Sequence, residues 1–358
     1  MPVEIGKKYA PASAATGKAQ HIPVLDGWRG IALLLVLSEH FPLIPSSLPF
    51  LHPLTETGEH GVAIFFVLSG YLITIRLLEE QDKTGGLDLR SFYIRRFFRL
   101  MPCAWTYLFL LAATSQLRPL EGLSCIFFFR NFVDFGSHVL TQHFWSLSIE
   151  EQFYLVWPGL LILLGPRQSR RFAIGAAMTL STWRILTLHY YAHEPFGLGL
   201  GTQRHADALL LGCIVALSSN LRIRPIVHRF VFGAGALLLI GYLWFIHSIV
   251  PLSESVVIGF LIWSSTQASL ASVAKVLSLP VLRWLGLISY SAYVWQQPIA
   301  QIRSTAAGAM LIKLAAVIAV ASASYYFLER PLTRVGRSLS RRSPAATPDE
   351  PSYTISNP

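Results

Sequence analysis

The first long apolar segment of the chain carries two side chains that are unusual in such a setting, Arg29 and His40. They are 11 residues apart. In an α-helix this spacing returns to nearly the same face, about 16 Å further along the axis. A guanidinium suits a phosphate or carboxylate, and an imidazole can exchange protons near neutral pH. We therefore interpret the pair as an anion-binding cation and a general base on one helix face. A structural hydrogen bond from His40 to a neighbouring helix is the alternative.

A second polar cluster lies within an apolar segment that begins at Phe144. Its members are Trp145, Ser146, Glu150, Glu151 and Tyr154. Two adjacent carboxylates cannot share one helix face. At least one is therefore predicted to point inward, where it could pair with Arg29 or orient His40. The alternative is that both carboxylates sit at the outer end of the helix and are partly hydrated.

A third cluster of cations occupies the stretch Arg90–Pro102, which includes Arg95, Arg96 and Arg99. Part of this charge is explained by the preference of basic residues for the cytoplasmic side of a membrane. The excess also fits the docking of a soluble polyanion such as a nucleotide-based carrier.

The composition shows which kind of protein must position these residues. Of 358 residues, 53% are hydrophobic and 13% are charged, and the mean hydropathy is +0.49. Soluble domains carry about 25% charged residues, so the bilayer is the expected solvent. The net charge is +10, but the cations lie in short clusters between apolar segments, which disfavours a nucleic-acid-binding protein. The cysteines and the remaining histidines predict neither disulfides nor a metal site.

Apolar segments predict an all-α transmembrane bundle of about ten spanning helices. They are Leu25–Ile44, Gly58–Leu78, Phe98–Leu117, Phe144–Gly165, Phe172–Tyr190, His205–Leu217, Phe230–Val250, Val256–Val273, Leu282–Ile302 and Ala306–Leu328. The stretch Leu120–Phe132 is too short to cross, and counting it as a span would scatter the basic loops over both sides of the membrane. It is therefore predicted to be a re-entrant or surface helix.

The same charge distribution predicts a multi-pass protein of the bacterial cytoplasmic membrane with both termini in the cytoplasm. Residues 1–22 and 336–358 are interpreted as disordered tails around a transmembrane domain at 23–335. The sequence leaves the oligomeric state open.

Taken together, six strings in this order resemble the acyltransferase-3 family of membrane O-acyltransferases, over most of the chain. They are Leu25–Ala32 with His40, Gly61–Val62 with Phe65–Ile73, Arg95–Pro102, Phe144–Tyr154, Ser289–Trp295 and Phe327–Pro331. The resemblance implies transfer of an acyl group, commonly acetyl, from cytoplasmic acyl-CoA to a hydroxyl of a glycan or glycoside. No bound cofactor is implied; acyl-CoA is a co-substrate.

The resemblance also assigns roles to residues. Its catalytic residues map onto Arg29, His40, Glu150 and Glu151, and substrate or acyl-CoA binding maps onto Arg95, Arg96, Arg99, Trp145, Ser146 and Tyr154. On this hypothesis the cations hold the phosphates of CoA, the pantetheine arm threads towards His40, and a glutamate orients the imidazole.

The chain departs from the family pattern at several positions. Gln296 stands where family members often have histidine, Ala63 replaces a common acidic residue, and Arg204–Asp207 matches a usual Arg-x-Asp element only loosely. A transporter or flippase of glycan precursors and a non-catalytic scaffold are the alternatives to an enzyme.

Overall fold

The protein is described from a computed structural model. The described residues are 22–42, 53, 55–133, 139–190, 202–219, 224–245, 252–302 and 308–340. The predicted N-terminal tail lies almost wholly outside them.

Within these ranges the chain is helical and contains no strand, which confirms the all-α class. The helices are α1 (Pro23–His40), α2 (Gly58–Thr84), α3 (Leu89–Ala113), α4 (Pro119–Ile126), α5 (Phe144–Tyr190), α6 (Thr202–Leu217), α7 (Pro225–Phe245), α8 (Leu252–Ser265), α9 (Ala271–Leu277), α10 (Pro280–Ala300), α11 (Ala309–Ser324) and α12 (Arg330–Ser340). A π-helical turn, Tyr325–Glu329, joins α11 to α12.

The number of helices that meet the criteria for crossing a membrane is smaller than predicted. By length and apolarity, 4 helical segments of the described chain qualify, or 5 if the bent α8–α9 pair counts as one span. One of the 4 lies in α5, which consists of two helices joined at a kink at Gly165 and so contains two of the predicted spans. The other predicted spans do form helices, but α1 and α3 carry several charges, and α6 and α8 have only 16 and 14 residues. The prediction of about ten spans therefore exceeds what these criteria support.

The stretch Leu120–Phe132 forms the short helix α4 followed by a turn. With 8 residues, α4 is too short to cross a bilayer. Its apolar side chains Leu123 and Phe127 are exposed, whereas Glu121 and Arg130 are buried. This segment therefore turns its charges into the protein and its apolar side outward.

Glycines allow the central helices to approach closely. A Cβ atom added at Gly286 of α10 would lie 2.0 Å from the carbonyl oxygen of Asp26 in α1. At the contact between α2 and α6, a Cβ added at Gly212 would lie 2.1 Å from the carbonyl oxygen of Val67. Small residues at helix contacts are the usual means of close packing in membrane proteins. Helix α1 packs against α10 on one side and against α2 on the other, and α2 in turn packs against α6.

Helix α3, which carries Arg95, Arg96 and Arg99, begins with an N-cap at Asp88. The carboxylate of Asp88 accepts a hydrogen bond from the backbone N–H of Ser91 at 3.0 Å, as an N-cap does. The hydrogen bonds from Ser91 lower the pKa of Asp88 below its ordinary value.

At the other end of the chain, α12 packs against α3. The hydroxyl of Ser91 donates to the carbonyl oxygen of Ser340 at 2.9 Å. Helix α12 continues through Ser340, so residues 336–340 are helical and not part of a disordered tail as predicted. The rest of that tail lies outside the described residues.

Candidate functional site

A cavity of about 520 Å³ lies among α1, α2, α3, α5 and α10. This volume is within the range of pockets that bind small molecules. On α2 its lining runs from Val62 to Thr84, a length of about 33 Å at 1.5 Å per residue. The cavity is therefore long enough to extend through most of a bilayer.

The two ends of the cavity differ in charge and burial. One end, here called the basic end, is lined by Arg76 and Lys83 of α2 and by Arg95 of α3, with Glu79 and Glu80 of α2 beside them. The other, the aromatic end, is lined by Phe65, Phe66 and Tyr293. Phe66 and Tyr293 are buried, so the cavity opens at the basic end and stops inside the protein at the aromatic end.

Arg96 is fixed at the wall of the cavity by Glu151. Its Nε and Nη2 atoms donate to Oε1 of Glu151 at 3.1 and 2.9 Å. The guanidinium also lies over the ring of Tyr154, with Cζ 3.0 Å from the ring centre. The pair is mostly shielded from solvent. Glu151 thus holds Arg96 and does not line the cavity itself.

Glu150 lines the cavity and has different partners. Its carboxylate accepts hydrogen bonds from the hydroxyl of Ser69 and, at 2.6 Å, from that of Tyr154. The two adjacent carboxylates therefore point in different directions, as their sequence positions require.

Two further guanidinium groups face the cavity, those of Arg29 and Arg99. Within the described part of the chain neither has a carboxylate oxygen within 4.0 Å. Both are near enough to interact electrostatically with the buried carboxylate of Glu329, which lies in the π-helical turn. Two cations that lack a close counter-ion form a ready site for a polyanion such as a diphosphate.

His40 lies beyond the aromatic end and does not line the cavity. Its Nδ1 atom is 3.0 Å from the carbonyl oxygen of Val36, and its Nε2 atom is 3.0 Å from the side-chain nitrogen of Gln297. The predicted orientation of His40 by Glu150 or Glu151 is therefore wrong for this conformation, because both carboxylates are bonded elsewhere.

Tyr293 separates the cavity from the level of His40. Its hydroxyl is 2.6 Å from the hydroxyl of Ser146 and 3.4 Å from the carbonyl oxygen of His143. Gln297 follows Tyr293 by one turn of α10, about 6 Å along the axis. The imidazole of His40 thus lies about one helical turn past the end of the cavity.

The structure brings most of the sequence-predicted site residues to one cavity. Those that line it are Arg29, Arg95, Arg96, Arg99, Ser146, Glu150 and Tyr154. Arg95 there pairs with Glu80, with Nη2 and Oε2 3.1 Å apart. Trp145 lies behind the lining, packed on Phe66 and, with ring centres 4.6 Å apart, on His205.

Sequence reasoning missed several residues of this region. Glu329 and Ser69 lie in family-like strings but had no assigned role, and Gln297 follows the position where the family histidine is missing. His143 precedes the Phe144–Tyr154 string by one residue. Only its closeness to that string could have drawn attention to it.

The chain is similar to known proteins along most of its length. The acyltransferase-3 model, described as an acyltransferase domain, matches residues 22–326. Peptidoglycan O-acetyltransferase OatA of Listeria monocytogenes is 27% identical over 88% of this chain and 56% of its own length. A putative peptidoglycan O-acetyltransferase of Bacillus subtilis, YrhL, is 31% identical over 91% of this chain and 57% of its own length.

A putative O-acetyltransferase of Staphylococcus aureus is 30% identical over 89% of this chain and 58% of its own length. The chain thus spans little more than half the length of these relatives. No solved structure matches it.

Proposed function

The chain belongs to the acyltransferase-3 family, and on this premise we propose that it is a membrane O-acetyltransferase that uses acetyl-CoA as donor and a cell-surface glycan as acceptor. The observation that carries the proposal is the long cavity with Arg29, Arg96 and Arg99 on its wall. An acyl-CoA molecule combines phosphates with a narrow, flexible arm, and this cavity combines cations with a narrow apolar interior.

The donor enters at the basic end. The phosphates of CoA meet Arg29 and Arg99, which have no close carboxylate to displace among the described residues, while Glu151 keeps Arg96 in a fixed orientation. The pantetheine arm then extends along α2 past Leu72 and Leu68 towards Tyr293. This route places the thioester near the level of His40, provided that Tyr293 moves.

At the aromatic end, His40 serves as the base. It takes the proton of the acceptor hydroxyl as the hydroxyl oxygen attacks the acyl carbon. The carbon–sulfur bond then breaks, and the CoA thiolate receives the proton from the imidazolium of His40. In a second route, His40 itself carries the acyl group between donor and acceptor.

We propose peptidoglycan as the acceptor, because two of the similar proteins bear that acceptor in their names. The position of His40 at the end of α1 opposite to Arg29 agrees with an acceptor on the outer side. We also propose that the termini lie in the cytoplasm, as the basic loops predict. Neither the family match nor the names of these relatives favours the alternative of a transporter.

The experiment uses the full chain in proteoliposomes, acetyl-CoA labelled in the acetyl group, and purified peptidoglycan strands. Label that becomes bound to the glycan and is released by mild alkali, as an ester is, supports the proposal. His40→Ala protein with normal thermal unfolding is the control, and it should incorporate no label above background. A wild-type protein that transfers no acetyl group contradicts the proposed reaction.

A further inference from the structure

His143 is a buried histidine that the mechanism above does not use. Its side chain lies against the rings of Tyr107, Phe144 and Tyr293, with ring centres 5.6, 4.9 and 5.7 Å away. The residue is only 3% exposed. Among the described residues, neither ring nitrogen makes a hydrogen bond of good geometry, and the backbone of Val294 is in position for a weak one at most.

Such an arrangement is costly for stability. A buried polar group without a good hydrogen bond destabilises a protein. A phenylalanine would fill the same aromatic surroundings without this cost. Unsatisfied buried groups in native proteins therefore call for an explanation, and a functional one is common.

The position of His143 provides that explanation. It immediately precedes the helix that carries Ser146 and Glu150, and its carbonyl oxygen lies 3.4 Å from the hydroxyl of Tyr293 at the aromatic end. The side chains of His40 and Arg130 act on the ring electrostatically, and the backbone of Val294 lies close enough for a weak hydrogen bond to it. His143 packs on Tyr293, and Gln297, the partner of His40, follows Tyr293 by one turn of α10, so both histidines lie just beyond the end of the cavity.

From this geometry we infer that His143 is a further catalytic residue, whose ring N–H donates a hydrogen bond to the acyl carbonyl oxygen during transfer. The inference rests on the proposed function. A neutral imidazole in an apolar pocket can act as a hydrogen-bond donor to a carbonyl, and fixed donors are most effective where charge develops away from water.

His143 keeps its proton throughout this step, and His40 alone transfers a proton. The acceptor oxygen attacks the acyl carbon and gives its proton to His40, while the carbonyl oxygen gains negative charge next to the N–H of His143. When the carbon–sulfur bond breaks, the carbonyl re-forms and the thiolate takes the proton from His40. Arg130, buried and hydrogen-bonded to the carbonyl oxygen of Val133 at 2.7 Å, supplies a positive potential that favours the oxyanion.

Other donors at the aromatic end are already engaged. The hydroxyls of Ser146 and Tyr293 bond to each other, so neither is free to meet the acyl oxygen in this conformation. When Tyr293 moves aside to admit the thioester, the ring of His143 becomes accessible from the cavity.

The test compares substitutions of His143 in the proteoliposome assay. His143→Phe keeps a ring of similar shape but removes the donor, and it should lower kcat by about 100-fold or more. Its KM for acetyl-CoA should not change, and its thermal unfolding temperature should stay the same or rise. His228→Phe is the matched control: His228 is equally buried at 3% exposed, lies in α7, and does not line the cavity. It should keep the wild-type kcat.

A second pair of variants keeps the test decisive if the phenylalanine protein does not fold. Glutamine and methionine have similar sizes, but only glutamine donates hydrogen bonds. His143→Gln should therefore retain at least tenfold more transfer than His143→Met. Equal activity of the two, or full activity of His143→Phe, overturns the inference while the proposed function stands. A wild-type protein without transfer overturns both.

Discussion

The side-chain nitrogen of Gln297 lies 3.0 Å from Nε2 of His40, while Nδ1 of the same ring lies 3.0 Å from the carbonyl oxygen of Val36. Because an amide NH₂ group only donates, Nε2 accepts this hydrogen bond and Nδ1 carries the ring proton. Gln297 therefore selects the tautomer whose lone pair is on Nε2, the nitrogen that can take up a proton in acyl transfer.

From this contact, Gln297→Ala should lower kcat roughly fivefold, the effect of about 1 kcal/mol for one lost hydrogen bond. The KM for acetyl-CoA should remain unchanged, because Gln297 does not line the cavity. Gln301→Ala, at an exposed position one turn later, is the control. A rise in KM without a change in kcat would argue against a role in orienting His40.

Arg29 and Arg99 should contribute to donor binding. Replacing either with methionine should weaken the affinity for CoA by about 10- to 100-fold, as expected for a lost charged hydrogen bond. Titration calorimetry with CoA itself separates binding from chemistry. Arg337→Met, which removes an exposed cation from α12, should leave the affinity unchanged. Equal loss in all three variants would indicate a non-specific effect of net charge.

The Arg96–Glu151 pair should show strong coupling in thermal unfolding. Glu151→Met leaves the mostly buried guanidinium of Arg96 without its counter-ion, and a loss of about 3 kcal/mol is expected. The double variant Arg96→Met/Glu151→Met should recover a large part of this loss, although it should bind CoA poorly. Additive effects of the two substitutions on stability would refute the coupling.

Close packing of α2 and α6 predicts that Gly212→Ala destabilises the protein by about 1–3 kcal/mol, because the new Cβ atom meets the carbonyl oxygen of Val67. At Gly175 in α5, no atom lies within 4 Å of an added Cβ. Gly175→Ala should therefore be neutral or slightly stabilising. Similar unfolding temperatures for the two variants would contradict the close approach of these helices.

The cap at the start of α3 should be sensitive to pH. Asp88→Ala should cost about 1 kcal/mol at neutral pH. Since the pKa of Asp88 is lowered in the folded state, this stabilisation is complete above the pKa of the unfolded chain and is lost as the pH falls through the lower, folded value. The difference in unfolding temperature between wild type and Asp88→Ala should therefore shrink in acid. Asp88→Asn, which caps without titrating, should show no such loss.

The sequence predicted the helical class, and most of the residues it assigned to the site line one cavity, because apolar segments and family-like strings are local features. The separation of Glu150 from Glu151 was also predictable, since neighbours on a helix point apart. Fewer helices meet the criteria of length and apolarity than the sequence predicted, partly because α1 and α3 carry the charges that build the site, which lowers their apolarity.

The contacts of His40 could not be predicted in the same way. Gln297 lies 257 residues from His40 in sequence, and only the packing of α1 on α10 brings them together. For a similar reason His143 escaped notice: a single histidine beside an aromatic residue is usually structural, and its burial among Tyr107, Phe144 and Tyr293 is visible only in three dimensions.

The contact between Tyr293 and Ser146 has a consequence for the cell as a whole. A cavity about 33 Å long would, in a bilayer, leave only a thin barrier between two aqueous compartments. If both of its ends were open, ions and protons would leak through it and dissipate the electrochemical gradient across the membrane. The buried phenol of Tyr293 lies at the inner limit of the cavity, so we expect Tyr293→Gly to threaten energy conservation as well as the proposed activity.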